Sequence, residues 1–164
     1  MSKVTPFLWF DAQAEEAAEF YTSIFQRSRI LEVTRHGEAG PGPAGSVMVV
    51  RFELDGQQYL ALNGGDQGFH FNESVSFVVN CTSQDEVDYF WGRLTEGGEE
   101  GQCGWLKDKY GLSWQVVPDR VLELLKDPDP ERSQRAMQAM LKMKKLDIGV
   151  MERAAAASPT SAAS

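Results

Sequence analysis

The sequence predicts an α+β protein made of two similar modules, each with a strand, a helix and then further strands, followed by a helical extension. Apolar residues at helical spacing mark one helix in each half, at Ala17, Phe20, Tyr21 and Ile24 and again at Val87, Phe90, Trp91 and Leu94. The second set lies 70 positions after the first. A strand-like apolar run precedes each helix and a hairpin signal follows it. Because all three features recur together, we interpret the chain as an internal repeat.

The first module begins with an apolar run at residues 4–10, where Pro6 favours an edge strand. A helix is predicted at residues 13–25, with acidic residues in its first turn. Strands are predicted at residues 29–35, 47–54 and 57–62. The last two are joined by Asp55-Gly56, the strongest short hairpin signal in the chain.

The second module begins with a predicted strand at residues 74–80, and Ser83 and Glu86 form a capping box at the start of its helix. Residues 102–107 and 112–117 then predict two antiparallel strands. Side chains alternate along a strand, so Ser113 and Gln115 face one way and Trp114 the other.

The composition changes to helical beyond Pro118. A short helix is predicted at 121–125, and Asp129 with Pro130 begins a longer one. The apolar stripe of that helix suits docking onto the body of the protein; it comprises Met137, Met140, Leu141 and Lys144, with Ala136, Met143, Leu146 and Ile148 nearby. We therefore expect a paired domain at 1–118, with modules at about 3–65 and 72–118, and a helical extension at 119–153. A low-complexity tail follows at 154–164 and is expected to be mobile or held only by a neighbour.

Composition and charge narrow the classes of function. The chain has 16 Lys and Arg against 24 Asp and Glu, a net charge of −8, which opposes binding to nucleic acid. The first residues do not have the pattern of a signal peptide, and the sequence predicts no membrane span. Cys81 and Cys103 lack metal-ligand spacing, which favours a cytoplasmic protein with reduced cysteines; a disulfide or a reactive thiol is the alternative.

One glycine-rich segment matches a nucleotide-binding pattern formally. Gly40, Gly42 and Gly45 have the spacing of the dinucleotide fingerprint. That fingerprint works only between a strand and a helix, whereas here prolines fill the gaps and a strand is predicted to follow. We therefore expect no nucleotide site in this loop and no methyl transfer from a nucleotide cofactor.

Several segments, in order, resemble a known family. These are AEEAAEFYTSIF after the first strand, FNESVSF at the start of the second module and EEGQCGWLKDKYGLSWQ at its end. They are similar to the vicinal oxygen chelate superfamily of glyoxalases and extradiol dioxygenases, and within it to the PhnB-like subgroup, also labelled 3-demethylubiquinone-9 3-methyltransferase-like. The resemblance covers residues 5–118 for the superfamily and reaches residue 146 for the subgroup. It implies two βαβββ modules whose mixed sheets curl around a cavity, and a homodimer.

The resemblance also implies where a metal would bind. Metalloenzymes of the superfamily hold a divalent ion with His and Glu from the first and last strands of each module. The corresponding positions here are Pro6, Ser76, about Ala61 and Gln115, none of which is His, Asp or Glu. The histidines, His36 and His70, fall in predicted loops and are expected to be solvated. We therefore predict no metal and no cofactor.

A mostly apolar cavity with a few neutral polar groups is expected between the modules. Its predicted lining residues are Leu8, Phe10, Arg51, Tyr59, Ala61, Asn63, Ser76, Ser113 and Gln115, with Glu53 nearby. The alternative is that Gln115, Ser113 and Ser76 satisfy only one another, as buried polar groups normally must.

Three hypotheses of function follow. The first is a metal-independent protein that binds a small apolar or aromatic molecule. The second is an enzyme whose acid or base is Glu53 or Glu73, with a pKa raised by burial. The third is a dimerisation module whose helical extension contacts a partner protein.

Overall fold

A computed structural model describes residues 2–157 of the chain. The backbone forms two compact units, Met1–Phe69 and His70–Ser164. Each unit contains one βαβββ module with a four-stranded mixed sheet, and the second also carries the helical extension. The predicted fold class is therefore confirmed.

The first unit contains one helix and four strands. They are β1 (Phe7–Phe10), α1 (Ala14–Ile24), β2 (Arg29–Arg35), β3 (Val47–Leu54) and β4 (Gln57–Asn63). In the sheet order β1-β4-β3-β2, β1 is parallel to β4 and the other pairs are antiparallel. The bounds of β2 and β3 match those predicted. Asp55-Gly56 forms the hairpin turn between β3 and β4, with positive φ at both residues.

The core of the first unit lies between α1 and one face of the sheet. Ala17, Tyr21 and Ile24 are buried on the helix, and Tyr21 stacks on Phe52 of β3 with 6.2 Å between ring centroids. Phe52 in turn stacks on Tyr59 of β4 at 5.5 Å. Burial of aromatic rings of this size contributes about 2–3 kcal/mol per side chain, which fixes the side of the sheet that α1 covers.

The second unit repeats this arrangement. Its elements are β5 (Ser76–Cys81), α2 (Gln84–Thr95), β6 (Glu99–Glu100), β7 (Trp105–Lys107), β8 (Ser113–Pro118), α3 (Asp119–Leu125), α4 (Pro130–Met140) and α5 (Ile148–Ala156). The sheet order is β5-β8-β7-β6, with β5 parallel to β8. The predicted capping box is present, since Ser83 Oγ accepts from Glu86 N and Glu86 Oε2 accepts from Thr82 N.

The turn between β7 and β8 is held by a buried carboxylate. Asp108 is only 2% exposed. Its Oδ1 accepts from the amides of Tyr110 and Leu112, at 2.8 and 3.1 Å, and its Oδ2 accepts from Trp114 Nε1 at 2.9 Å. These three bonds fix the register in which β8 returns along the sheet.

The helical extension differs from the prediction in two places. The apolar stripe does not continue as one helix, because α4 ends at Met140 and α5 begins at Ile148. The intervening backbone bonds instead to the loop that precedes β7, with Met143 O accepting from Cys103 N and Lys144 O from Gly104 N, both at 2.8 Å. None of the helices within residues 2–157 is both long and apolar enough to cross a membrane.

The predicted tail also begins in ordered structure. Residues 154–156 belong to α5, where Ala155 is fully buried, and Arg135 donates to the carbonyls of Ala154 and Ala155. A run of alanine has the highest helix propensity, and this explains why the helix extends past residue 153. The remainder of the predicted tail, residues 158–164, lies outside the described residues.

Candidate functional site

Polar side chains form a row across the sheet of the second unit, on the face opposite α2. Ser76 pairs with Ser113, Ser113 with Lys107, and Lys107 with Glu99, so one residue from each of the four strands lies in the row. Gln115 occupies the next row, between Trp105 and Val78. The sheet therefore brings the predicted site residues Ser76, Ser113 and Gln115 together.

The side chains of Gln115 and Ser76 form a hydrogen bond with each other, whereas the side chain of Ser113 has no hydrogen-bond partner among the described residues. Gln115 Nε2 donates to Ser76 Oγ at 3.0 Å, which leaves Gln115 Oε1 and the second amide hydrogen without a partner within residues 2–157. Ser113 is fully buried, and its Oγ has no partner among the same residues. The three polar groups thus satisfy one another only in part, and an unpaired buried hydroxyl costs about 1–3 kcal/mol.

An ion pair closes one end of this row. Lys107 Nζ contacts Glu73 Oε1, and both side chains remain well exposed. The hydrogen bond to Lys107 lowers the pKa of Glu73, and the same bond raises the pKa of Lys107. The expectation that burial raises the pKa of Glu73 is therefore wrong, because this carboxylate is exposed and paired with a cation.

In the first unit, the predicted lining residues lie on two different faces. Leu8 and Phe10 are buried on the side that α1 covers, in register with Ala61 and Asn63. Tyr59 lies on the same side, in its stack with Phe52.

Asn63 bonds to the backbone of its own unit. Its Oδ1 accepts from Ala14 N at 2.8 Å, and its Nδ2 donates to Val47 O at 3.2 Å. These bonds tie the end of β4 to the start of α1 and to β3. The described contacts of Asn63 are therefore structural.

The opposite face of that sheet carries Arg51 and Glu53. Arg51 Nη1 lies 3.8 Å from Glu32 Oε2 across β2 and β3, with both side chains about half exposed. Glu53 lies two residues further along β3, paired with Gln58. Phe7 and Trp9 alternate with the buried residues of β1 and are exposed on the same opposite face.

The loop between the first strand and the helix is one residue longer in the first module than in the second. This difference explains why the side-chain directions were predicted correctly in the second module and not in the first. Residues 11–13 join β1 to α1, but only residues 82–83 join β5 to α2. The helices therefore repeat at 70 positions, whereas the buried strand positions Leu8 and Val79 are 71 apart. In a strand, an offset of one residue exchanges the two faces.

The strand register also corrects the equivalent of Gln115. Ala61 is fully buried and pairs with Leu8, just as Val116 is buried and pairs with Val79, so Ala61 is the counterpart of Val116. The residue before each of these two is therefore also equivalent, which makes Leu60 the counterpart of Gln115. Within residues 2–157, no cluster of three His, Cys, Asp or Glu side chains has the geometry to hold a metal ion.

The two histidines have different surroundings. His70 is exposed, as expected. His36 is not simply solvated, because its Nδ1 is buried and its ring packs against Gly40 and Gly42. The sequence could have indicated this, because the prolines and glycines of the β2–β3 loop are typical of a compact loop, and such a loop can enclose a side chain.

Both cysteines are free thiols in the structure. Cys81 is fully buried, and desolvation, with smaller contributions from Glu86 and Asp119, raises its pKa to about 12. A thiol with this pKa stays protonated and unreactive near neutral pH. Cys103 is partly exposed, and its Sγ lies 3.6 Å from Met140 O.

Paired βαβββ modules with residues in this arrangement define a vicinal oxygen chelate protein of the PhnB-like type. The family model of 3-demethylubiquinone-9 3-methyltransferase matches residues 2–117. The chain belongs to this family. A search of curated proteins finds no match to the chain.

Solved structures agree with this assignment. The PhnB protein from Bacillus cereus is 36% identical, with 71% of this chain and 99% of that chain covered and a TM-score of 0.67. Protein PA1353 from Pseudomonas aeruginosa shares the fold at 19% identity, with 72% and 98% covered and a TM-score of 0.59. The fosfomycin resistance protein FosX from Listeria monocytogenes, solved with Mn(II) and sulfate, shares it at 13% identity, with 76% and 95% covered and a TM-score of 0.52.

Proposed function

We propose that this protein binds a small, neutral, hydrogen-bonding molecule without a metal ion, on the face of the second sheet opposite α2. The observation that carries the proposal is the bond from Gln115 Nε2 to Ser76 Oγ. By the resemblance, these two residues stand at strand positions where the superfamily's metalloenzymes have ligands. One carboxamide and one hydroxyl do not supply the His, Cys, Asp or Glu ligands of a zinc site.

The hydrogen-bonding groups of Gln115 that remain available favour a neutral ligand. Among the residues that the structure describes, none pairs with the carbonyl oxygen or the second amide hydrogen of Gln115. Val78, which is 49% exposed, lies beside Gln115 in the same row. A hydroxyl or amide group on an apolar body would pair with the carboxamide and cover the valine. Small-molecule sites commonly combine apolar contacts with a few polar groups in this way.

Methyl transfer is not the function we propose, although the family carries that name. The glycine-rich loop joins β2 to β3, two antiparallel strands, and therefore does not present helix amides to a nucleotide. Catalysis by Glu73 has no support either, since its pKa is lowered and a general acid near neutral pH requires a raised one.

A fragment screen by NMR tests the proposal. Neutral hydroxyl- and amide-bearing aromatic fragments would be titrated with EDTA present, with the side-chain amide resonances of Gln115 as reporter. We expect saturable binding that weakens about tenfold in Gln115→Ala and stays unchanged in Gln138→Ala, an exposed carboxamide on α4. Equal affinity in both variants, or binding only with added Zn, Mn or Ni, would overturn the proposal.

We further propose that the protein forms a homodimer, as the resemblance implies, and that it lies in the cytoplasm, which its cysteine usage favours. Light scattering after size exclusion measures the molar mass directly. A mass of twice 18.2 kDa supports the proposal, and a single-chain mass contradicts it.

A further inference from the structure

A cleft of about 730 Å³ lies within the first unit, and none of its lining residues belongs to the polar row of the second unit. Its walls come from the end of β1 and the start of α1, from the loop between β2 and β3, and from the end of β4. The residues with distinctive chemistry are Trp9, Asp11, Glu15, His36, Met48 and Leu62. Its volume falls within the range of small-molecule sites.

Two close approaches of ring to backbone shape this cleft. A Cβ on Gly64 would lie 2.1 Å from the indole of Trp9, so the ring is seated directly on the chain. The indole Nε1 donates to Gly65 O at 2.9 Å, and Phe69 packs edge-on against the ring.

The opposite wall is built in the same way. A Cβ on Gly42 would lie 2.6 Å from the imidazole of His36. The backbone of His36 is held by Ser46 and Gly45 across the loop, at 2.9 and 2.8 Å. The indole is therefore fixed by packing and a hydrogen bond, and the imidazole by packing within a loop whose backbone is hydrogen-bonded.

The charge of the cleft is negative and uncompensated. The carboxylates of Asp11 and Glu15 form no ion pair or hydrogen bond with any residue in the part of the chain that the structure describes. No lysine or arginine is among the described residues that line it. Arg35, at the end of β2, does not pair with either carboxylate, because its Nη1 donates a hydrogen bond to Gly45 O at 3.1 Å.

Carboxylates near a helix N-terminus also stabilise the helix dipole, which is the simplest structural role for Glu15. That role would suit a fully exposed side chain, as for Glu16 in the same turn. Glu15 is instead partly buried on the wall of a cleft that also presents an indole. Indole faces and carboxylates both attract cations, and the apolar lining suits a hydrocarbon body.

We propose that this cleft binds a small organic cation, an amine or quaternary ammonium group carried on an apolar body. Asp11 and Glu15 supply the counter-charge, and Trp9 supplies the aromatic face. This site goes beyond the neutral-ligand site proposed above, because it lies in the other unit and shares no residue with it.

Choline and its neutral isostere 3,3-dimethylbutan-1-ol provide the test. Each would be titrated at matched ionic strength, with the indole Nε1 resonance of Trp9, assigned through Trp9→Phe, as reporter. We expect saturable binding of choline and about tenfold weaker binding of the alcohol. Equal affinities, or no saturation by choline, would overturn the proposal.

Variants separate the cation site from general surface charge. We expect Asp11→Asn combined with Glu15→Gln to weaken choline about tenfold and leave the alcohol unchanged. Glu16→Gln combined with Glu19→Gln removes the same two charges from exposed positions on α1 and should stay within about twofold. An equal loss in both, or no loss in the Asp11 and Glu15 double variant with its spectrum still dispersed, would contradict the assignment.

Discussion

Gln115 and Ser76 are joined by a side-chain hydrogen bond between two parallel strands, 3.0 Å from Nε2 to Oγ. The resemblance to the superfamily assigns both residues to positions where a metalloenzyme has ligands. The two side chains contact each other as a neutral donor and acceptor. Within residues 2–157, Gln115 Oε1 has no further partner, so the pair can still contact a ligand.

Asp108→Ala should lower the free energy of unfolding by about 2–4 kcal/mol, because it removes the charged acceptor of three donors, two of them buried and one partly buried. Denaturant titration measures the change. Asp85→Ala, at an exposed position on α2, should change stability by less than about 0.5 kcal/mol. Similar losses in the two variants would show that the buried turn contributes no special stability.

Gly64→Ala and Gly92→Ala should change stability in opposite directions. A methyl group at Gly64 would meet the indole of Trp9, which we expect to cost about 1–3 kcal/mol and to alter the fluorescence of that ring. Gly92 lies inside α2 with open space around it, so alanine there should stabilise by about 0.5–1 kcal/mol. A neutral Gly64→Ala would contradict the close packing of Trp9.

Gln84→Ala should loosen the segment between α4 and α5. Its Nε2 donates to Leu146 O at 3.0 Å and its Oε1 accepts from Ile148 N at 2.9 Å, which clamps this segment to α2. We expect faster cleavage by trypsin after Lys142 and Lys144. Gln134→Ala, on the exposed side of α4, serves as the control; unchanged cleavage in Gln84→Ala would rule out the clamp.

Cys81 makes stability depend on alkaline pH. Its pKa is raised from 9.0 to about 12 in the folded protein, so the unfolded thiol ionises first. Its contribution is complete below pH 9.0 and is lost as pH rises towards about 12.

The test of this dependence compares two proteins across the same pH range. Denaturant titration from pH 8 to 11 should show a steeper loss of stability in the parent than in Cys81→Ala. Identical slopes would contradict the raised pKa.

The order of elements in both modules could be predicted from periodicity, capping residues and the Asp55-Gly56 turn, because these signals are local. The second strand of the last hairpin, with Ser113 and Gln115 on one face, was also correctly assigned by alternation. These elements required no knowledge of how distant segments pack.

The side-chain direction in the first module could not be predicted in the same way. The 70-residue offset of the helices does not hold for β1. Leu8 and Phe10 were predicted to line a cavity, but they are buried on the face of the sheet that α1 covers. The extra residue in the β1–α1 connection has no local signal. The cleft beside Trp9 was missed because it depends on close approach of Gly42 and Gly64, which only the folded backbone reveals.

Native mass spectrometry of the protein as purified, before and after EDTA, tests the central claim most directly. The account predicts a bound mass of a few hundred daltons that survives EDTA, is absent from Gln115→Ala and is retained by Gln138→Ala. A stoichiometric divalent metal, or a bound mass that disappears with EDTA, would contradict metal-independent binding at Gln115 and Ser76.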